Sequence, residues 1–152
     1  MADRRPATDY VVEFRHDAPR AAAVSAEAWA RQVFDGPPLA FRLLLRLGWR
    51  YGLRLRLARA DQPQAIAGWT VVEATPTRCR LAADSPLLAA TNEAVVGTDG
   101  VRWTTTVGYR SVIGRMLWTC ASVLHRLTMP LLLRSAARAL LAGPSGGARP
   151  PR

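Results

Sequence analysis

Apolar and polar positions follow two rhythms along this chain, and the changes between them mark out the elements. Tyr10 to Arg15 (YVVEFR) is short and rich in β-forming residues, which predicts a strand. After the turn-like Asp17-Ala-Pro-Arg, Ala26, Trp29, Ala30, Val33 and Phe34 recur at helical spacing. Ser25 offers that helix an N-cap, and Glu27 sits in its first turn, where the helix dipole favours an acid. Asp35-Gly-Pro-Pro stops it. Leu39 to Arg50 predicts a second helix, with Leu39, Leu43 and Leu47 on one face, Arg42, Arg46 and Arg50 on another, and Gly48 and Gly52 at its end. Leu53, Leu55 and Leu57 then alternate with Arg54 and Arg56, the period of a strand with one dry face.

Four strand-like segments follow: Ala65 to Ala74, Thr77 to Ala83, Leu87 to Val96 and Gly100 to Arg110. In the second, Cys79 and Leu81 point one way and Arg78 and Arg80 the other. In the fourth, Val101, Trp103, Thr105, Val107 and Tyr109 share a face. Short strands joined by tight turns imply an antiparallel meander. The last element is a long helix on which Ile113, Leu117, Cys120, Leu124, Leu127 and Leu131 fall in one narrow sector, read here as the face that lies on the sheet. Pro130 is expected to kink or break it, and beyond Pro130 the stripe shifts to Leu133, Ala137, Leu140 and Leu141. The predicted fold class is α+β: a strand, two short helices, then an antiparallel meander curved around a long C-terminal helix. A curved sheet and a straight helix cannot touch everywhere, so this arrangement favours an apolar cavity between them.

Composition narrows the picture. The 152 residues carry 21 basic against 11 acidic side chains, a formal charge of +10, and every basic residue is arginine. Charge of this size suggests an anionic partner. Selection for charge alone would use lysine as well, so the all-arginine set points first to the composition of a high-GC, bacterial-type genome. The length predicts a single domain over 9–142, between a flexible arm at 1–8 and a disordered Gly/Pro-rich tail at 143–152. Two cysteines and two histidines exclude a disulfide scaffold and most histidine-rich metal chemistry, so no metal or other cofactor is expected. No signal peptide is evident, and apolar stretches such as Met116 to Leu124 are about half the length of a bilayer-spanning helix. The expectation is a soluble cytoplasmic protein with reduced thiols.

Certain residues carry a family likeness. Gly68-Trp69-Thr70-Val71-Val72-Glu73, Pro76 and the Arg78 to Leu81 strand resemble the opening of domain-of-unknown-function family 2867. So do Thr104 and Thr106, Gly114-Arg115, Trp118, Leu124-His125-Arg126, Leu133 and Ala136-Ala137-Arg138. The likeness spans about residues 65–140. It implies a START-like (SRPBCC), helix-grip architecture of the kind that holds lipids, polyketides or other apolar molecules, and it implies no established reaction. No glycine-rich nucleotide fingerprint accompanies it here.

Candidate chemistry follows from the predicted faces. Trp69, Trp103, Tyr109, Met116, Leu117, Trp118, Leu124 and His125 are the expected lining of a ligand cavity; alternatively, the aromatics simply fill the core. His125 lies on a flank with Trp118, Ser122 and Met129, where it could hold a ligand, act as a general acid or base, or bond to a backbone group or Glu73. Glu73, Glu93 and Tyr109 are the other candidate catalytic groups, with the two acids turned inward or ion-paired to Arg110 or Arg126, or else facing water. Cys79 and Cys120 read as small buried hydrophobes. Arg42, Arg46 and Arg50 form a candidate anionic-surface site or a solvated face. Three functions are compatible: a binder of an apolar or amphipathic small molecule, an enzyme of cyclase, dehydratase or hydrolase type using the same cavity, and a peripheral module on anionic membranes. Nucleic acid is disfavoured because stacking aromatics do not accompany the arginines.

Overall fold

The computed structural model describes residues 8–59 and 61–142; the expected arm (apart from Thr8) and tail lie outside them. The elements run β1 (Tyr10–Asp17), α1 (Ala26–Asp35), α2 (Leu39–Leu47), β2 (Ala65–Ile66), β3 (Trp69–Ala74), β4 (Arg78–Asp84), β5 (Leu88–Val96), β6 (Gly100–Tyr109) and α3 (Val112–Leu141). The six strands form one antiparallel sheet in the order β1-β6-β5-β4-β3-β2. The long C-terminal helix packs against it, so the fold is α+β in a helix-grip arrangement.

Alternation decides which side of each strand is dry. Cys79 and Leu81 of β4, Leu88, Ala90 and Ala94 of β5, and Val101, Trp103 and Val107 of β6 are all buried. They form one inner face, covered jointly by two helices. α1 lies over β4, β5 and β2, while α3 lies over β1 and β6 and crosses α1. α1 starts as expected, with Ser25 Oγ accepting from the Ala28 N–H, and buries Trp29, Val33 and Phe34. The buried Trp29 indole is satisfied by the Ala21 carbonyl at 3.2 Å.

Three local readings are corrected. The Leu53–Leu57 segment is not a strand. Arg54 takes a left-handed φ of 52°, which interrupts pairing, and only isolated bonds such as Arg56 N–H to the Asp84 carbonyl tie the segment down. Its alternation survives as burial, with Leu53 and Leu55 inside. Ala65 to Ala74 is a hairpin rather than one strand, because Ala67 (φ 52°) and Gly68 (φ 93°) make a two-residue turn with both residues left-handed. The helix beginning at Leu39 passes into a π-turn over Gly48–Gly52, where Leu53 N–H bonds five residues back to the Gly48 carbonyl.

The largest correction concerns α3. Its leucine stripe does not lie on the sheet: Ile113 is 61% exposed, Leu124 54%, Leu127 66% and Leu131 64%. The buried side instead carries Gly114, Trp118, Met129, Leu132, Leu133, Ala136 and Ala137. Two contacts set this rotation. Gly114 sits against the Leu87 carbonyl so closely that a Cβ there would overlap it. Trp118 packs edge-on against Tyr10 of β1, ring centroids 5.5 Å apart. The helix runs through Pro130 unbroken, and past it Leu133, Ala136 and Ala137 pack in the region where α3 crosses α1.

Gly114→Ala should therefore lower stability by about 1–3 kcal/mol through overpacking, despite alanine's better helix propensity. Gly48→Ala, where an added Cβ meets open space, should be neutral or slightly stabilising. Urea denaturation of both variants checks this, and equal effects at the two glycines would contradict it.

Candidate functional site

Between the inner sheet face, α2, the π-turn and α3 lies a cavity of about 450 Å³. Its floor is Phe34 of α1 with Trp69, Ala90, Asn92 and Thr105 of the sheet. Leu44, Leu45, Gly48, Trp49 and Gly52 cover one side, and Leu53 and Leu55 extend that wall. α3 supplies Leu117, Trp118, Ala121, His125 and Met129. α2 buries no residue of its own, and the lining residues Leu44, Leu117 and Leu124 are also exposed. The cavity thus opens between α2 and α3.

Aromatic rings hold the floor in place. Phe34 stacks on Trp69 (centroids 6.3 Å, planes 7° apart) and meets Trp49 and Trp103 edge-on at 5.3 and 5.4 Å. Trp49 meets Trp69 edge-on at 5.5 Å. Such T-shaped and offset pairs restrict ring rotation, so the wall is preformed.

One end of the cavity is polar. Trp103 Nε1–H donates to Asn92 Oδ1 at 3.2 Å. Thr105 Oγ1 lies 2.6 Å from the same oxygen and 3.2 Å from His125 Nε2. The indole can only donate, so it fixes Asn92 Oδ1 as the acceptor, and Thr105 must spend its single hydroxyl proton there. The Thr105 oxygen is then an acceptor toward His125, which places the imidazole proton on Nε2 and leaves Nδ1 as a bare lone pair. Burial, together with the nearby Arg126 charge, lowers the His125 pKa to about 4, so the ring is neutral at physiological pH. His125 Nδ1, Trp69 Nε1 and Trp118 Nε1 are buried without a hydrogen-bond partner, and all three residues line the cavity.

The expected site residues divide clearly. Trp69, Leu117, Trp118, Leu124 and His125 line the cavity. Trp103 does not; it is fully buried beneath the floor, where it supports Phe34 and Asn92. Met116, 64% exposed, faces away. Tyr109 sits at the end of β6, its backbone N–H held by Asp9, and burial raises its pKa. Glu73 and Glu93 project from the outer sheet face, both paired to Arg80 at 3.3 and 3.2 Å. Alternation in β5 puts Glu93 on the face away from the cavity, and the bulge between Val71 and Glu73 puts Glu73 there too, beside Arg80; of the four candidate catalytic groups only His125 reaches the cavity, and no paired-acid arrangement forms. Arg110 pairs with Asp84, and Arg126 bonds the Tyr10 hydroxyl, so neither serves these acids. Cys79 is buried, which pushes its thiol up to about 11, but Cys120 is exposed and borders the cavity, because α3 is rotated. Arg42, Arg46 and Arg50 do lie on α2 and the π-turn, with Arg50 over the Tyr51 ring. Among the described residues no group of three or more His, Cys, Asp and Glu is placed to hold a metal ion.

Sequence reasoning missed Asn92, Thr105 as a polar anchor, and the whole α2–π-turn wall. Asn92 was detectable as a polar residue in register with Leu88, Ala90, Ala94 and Val96. The chain matches no family model, and no curated protein is significantly similar to it. The resemblance drawn from Gly68 to Glu73 and the later residues rests on those residues alone.

His125 gives the fold a pH signature. Its folded-state pKa lies below the ordinary value near 6.5, so as pH falls the unfolded chain takes up the proton first. The stability contributed by the neutral ring is whole above about pH 6.5 and is lost on descending toward about pH 4. His125→Gln should flatten the slope of unfolding free energy between roughly pH 6.5 and 5, above the range where carboxylates dominate. Identical slopes for the two proteins would contradict a buried neutral imidazole.

Proposed function

We propose that this protein binds a single apolar or amphipathic small molecule in the cavity between the sheet, the α2–π-turn segment and α3. The observation that carries the reading is the cavity of about 450 Å³, apolar except for the Asn92–Thr105–His125 end. Small-molecule sites have this size and character, with a few polar groups fixing orientation. The bound molecule would place its polar end toward the Asn92–Thr105–His125 end of the cavity. The START-like resemblance belongs to the same proposal, since helix-grip proteins of that kind carry apolar molecules. A binding role is favoured over catalysis because, apart from the Cys120 thiol at its border, the described lining of the cavity offers His125 no second acid or base.

Native mass spectrometry of the purified protein should reveal a co-purifying lipid-like adduct or, after delipidation, one-to-one uptake of anilinonaphthalene sulfonate. Ala121→Trp projects an indole from the half-buried inner side of α3 into this space and should abolish either signal while leaving the circular dichroism spectrum intact. A folded wild-type protein that takes up neither, or a variant that binds as well as wild type, would remove the reading.

A further inference from the structure

The charge and the exposed apolar surface of this molecule lie on the same side. Apart from Val11 and Val72, every large hydrophobic residue left exposed among the described residues belongs to α2, the π-turn or α3. Leu43 and Leu47 of α2 are half exposed, and Met116, Leu127 and Leu131 of α3 are about two-thirds exposed. The two sets flank the same cavity, which Leu44 and Leu45 of α2 and Leu117 and Leu124 of α3 line from either side. A patch of this kind needs a partner.

The charge says which partner. On the outer sheet face, acids match arginines: Glu13 meets Arg15 and Arg102, Glu93 meets Arg78 and Arg80, and Glu73 meets Arg80. The helical side has no such balance. α2, the π-turn and α3 contain Arg42, Arg46, Arg50, Arg115, Arg126, Arg134 and Arg138 and not one acidic residue. Among the described residues, none of those arginines enters an ion pair with a carboxylate. Arg115 and Arg126 stand on the far flank of α3, where Arg126 bonds Tyr10, but Arg42, Arg46 and Arg50 of the α2 segment and Arg134 and Arg138 of α3 accompany the exposed leucines; leucines beside unmatched arginines complement a surface that is anionic outside and hydrocarbon beneath.

We infer that the α2–α3 face docks on an anionic phospholipid bilayer, with Leu43, Leu47, Met116, Leu127 and Leu131 entering the acyl boundary and the arginines contacting headgroup phosphates. A second copy of the chain fits this surface poorly, since a two-fold contact would set unmatched arginines against one another. α3 is long and apolar enough to cross a membrane by length and composition. Its inner side, however, is occupied by Tyr10 and Thr105 contacts, and Arg115 and Arg126 interrupt its apolar length, so the helix lies in the interface. Docked this way, the mouth of the cavity faces the bilayer. The inference stands on surface chemistry and does not depend on the cavity holding a ligand.

Vesicle flotation tests it, with the full chain and liposomes of phosphatidylcholine alone or mixed with phosphatidylserine. Binding should require phosphatidylserine and should weaken as salt shortens the screening length. Leu127→Glu with Leu131→Glu, and separately Arg42→Ala, Arg46→Ala and Arg50→Ala together, should each weaken it by roughly tenfold or more. None of the substituted side chains lines the cavity, so uptake of anilinonaphthalene sulfonate should persist in both variants. Conversely, Ala121→Trp should lose the dye and keep the vesicles, which separates failure of this inference from failure of the cavity reading. Four results would overturn the inference: no binding to phosphatidylserine vesicles at low salt; binding unchanged in both variants; a dimer that depends on Leu127 and Leu131 in place of vesicle binding; or protein that resists alkaline extraction from membranes, as a spanning helix would.

Discussion

The rotation of α3 about its own axis is the constraint on which the rest of the molecule depends. A helix of 30 residues with apolar side chains on several sides has more than one face it could offer a sheet. Contacts at its start and on β1 select one. Gly114 lets the first turn settle against the Leu87 carbonyl, which also accepts from the Arg110 N–H. Tyr10 is then clasped from two sides, by Trp118 edge-on and by Arg126, whose Nε donates to its hydroxyl at 3.0 Å. Phe14 on the same strand face meets the His125 ring at 5.5 Å. With Trp118 and His125 turned inward, the leucine stripe has to turn outward. The polar end of the cavity, the exposed Cys120 and the apolar outer surface are consequences of that single choice.

The buried polar chain from Trp103 through Asn92 and Thr105 to His125 reinforces the choice. It links β5, β6 and α3 through directional bonds, which an apolar core cannot provide. Each bond fixes the next proton, so the imidazole carries a proton on Nε2, and burial keeps the ring neutral. Leaving any member unpaired would carry the desolvation cost of a buried polar group, which favours this register of helix on sheet over its neighbours. The division of charge has a comparable logic. Cross-strand partners neutralise arginines on the outer sheet face, whereas the helical side keeps its charge unbalanced beside its leucines.

Much of the architecture was readable from local pattern. Strict alternation marked β4 and β6, Ser25 marked the start of α1, and the order of elements gave the α+β class. What failed depended on contacts distant in sequence. The α3 stripe was chosen by hydrophobicity, but its docking was decided by Tyr10 and Phe14, more than a hundred positions earlier. Trp69, Trp118 and His125 were found at the cavity because aromatic and histidine residues stand out on predicted inner faces. Asn92 and the α2 wall were missed, since a lone polar position in a strand and an apolar helix are both ambiguous until the sheet is closed. The carboxylates illustrate the same limit: Glu93 lies on the outer face by simple register, but Glu73 reaches it through the bulge between Val71 and Glu73, which obscures that parity in β3. The excess positive charge, unremarkable as a total, gained meaning only once the acids were found gathered around the sheet.

The two cysteines report the placement of α3 directly. In the native protein at neutral pH, without detergent, a maleimide should modify Cys120 rapidly, while Cys79, enclosed beneath α1 with its thiol pushed up to about 11, should react only on unfolding. Peptide mapping after a short exposure distinguishes the two. Rapid labelling confined to Cys120 is the result that this rotation of α3 requires. Protection of both thiols would mean that the leucine stripe, with Cys120 at its centre, lies against the sheet after all.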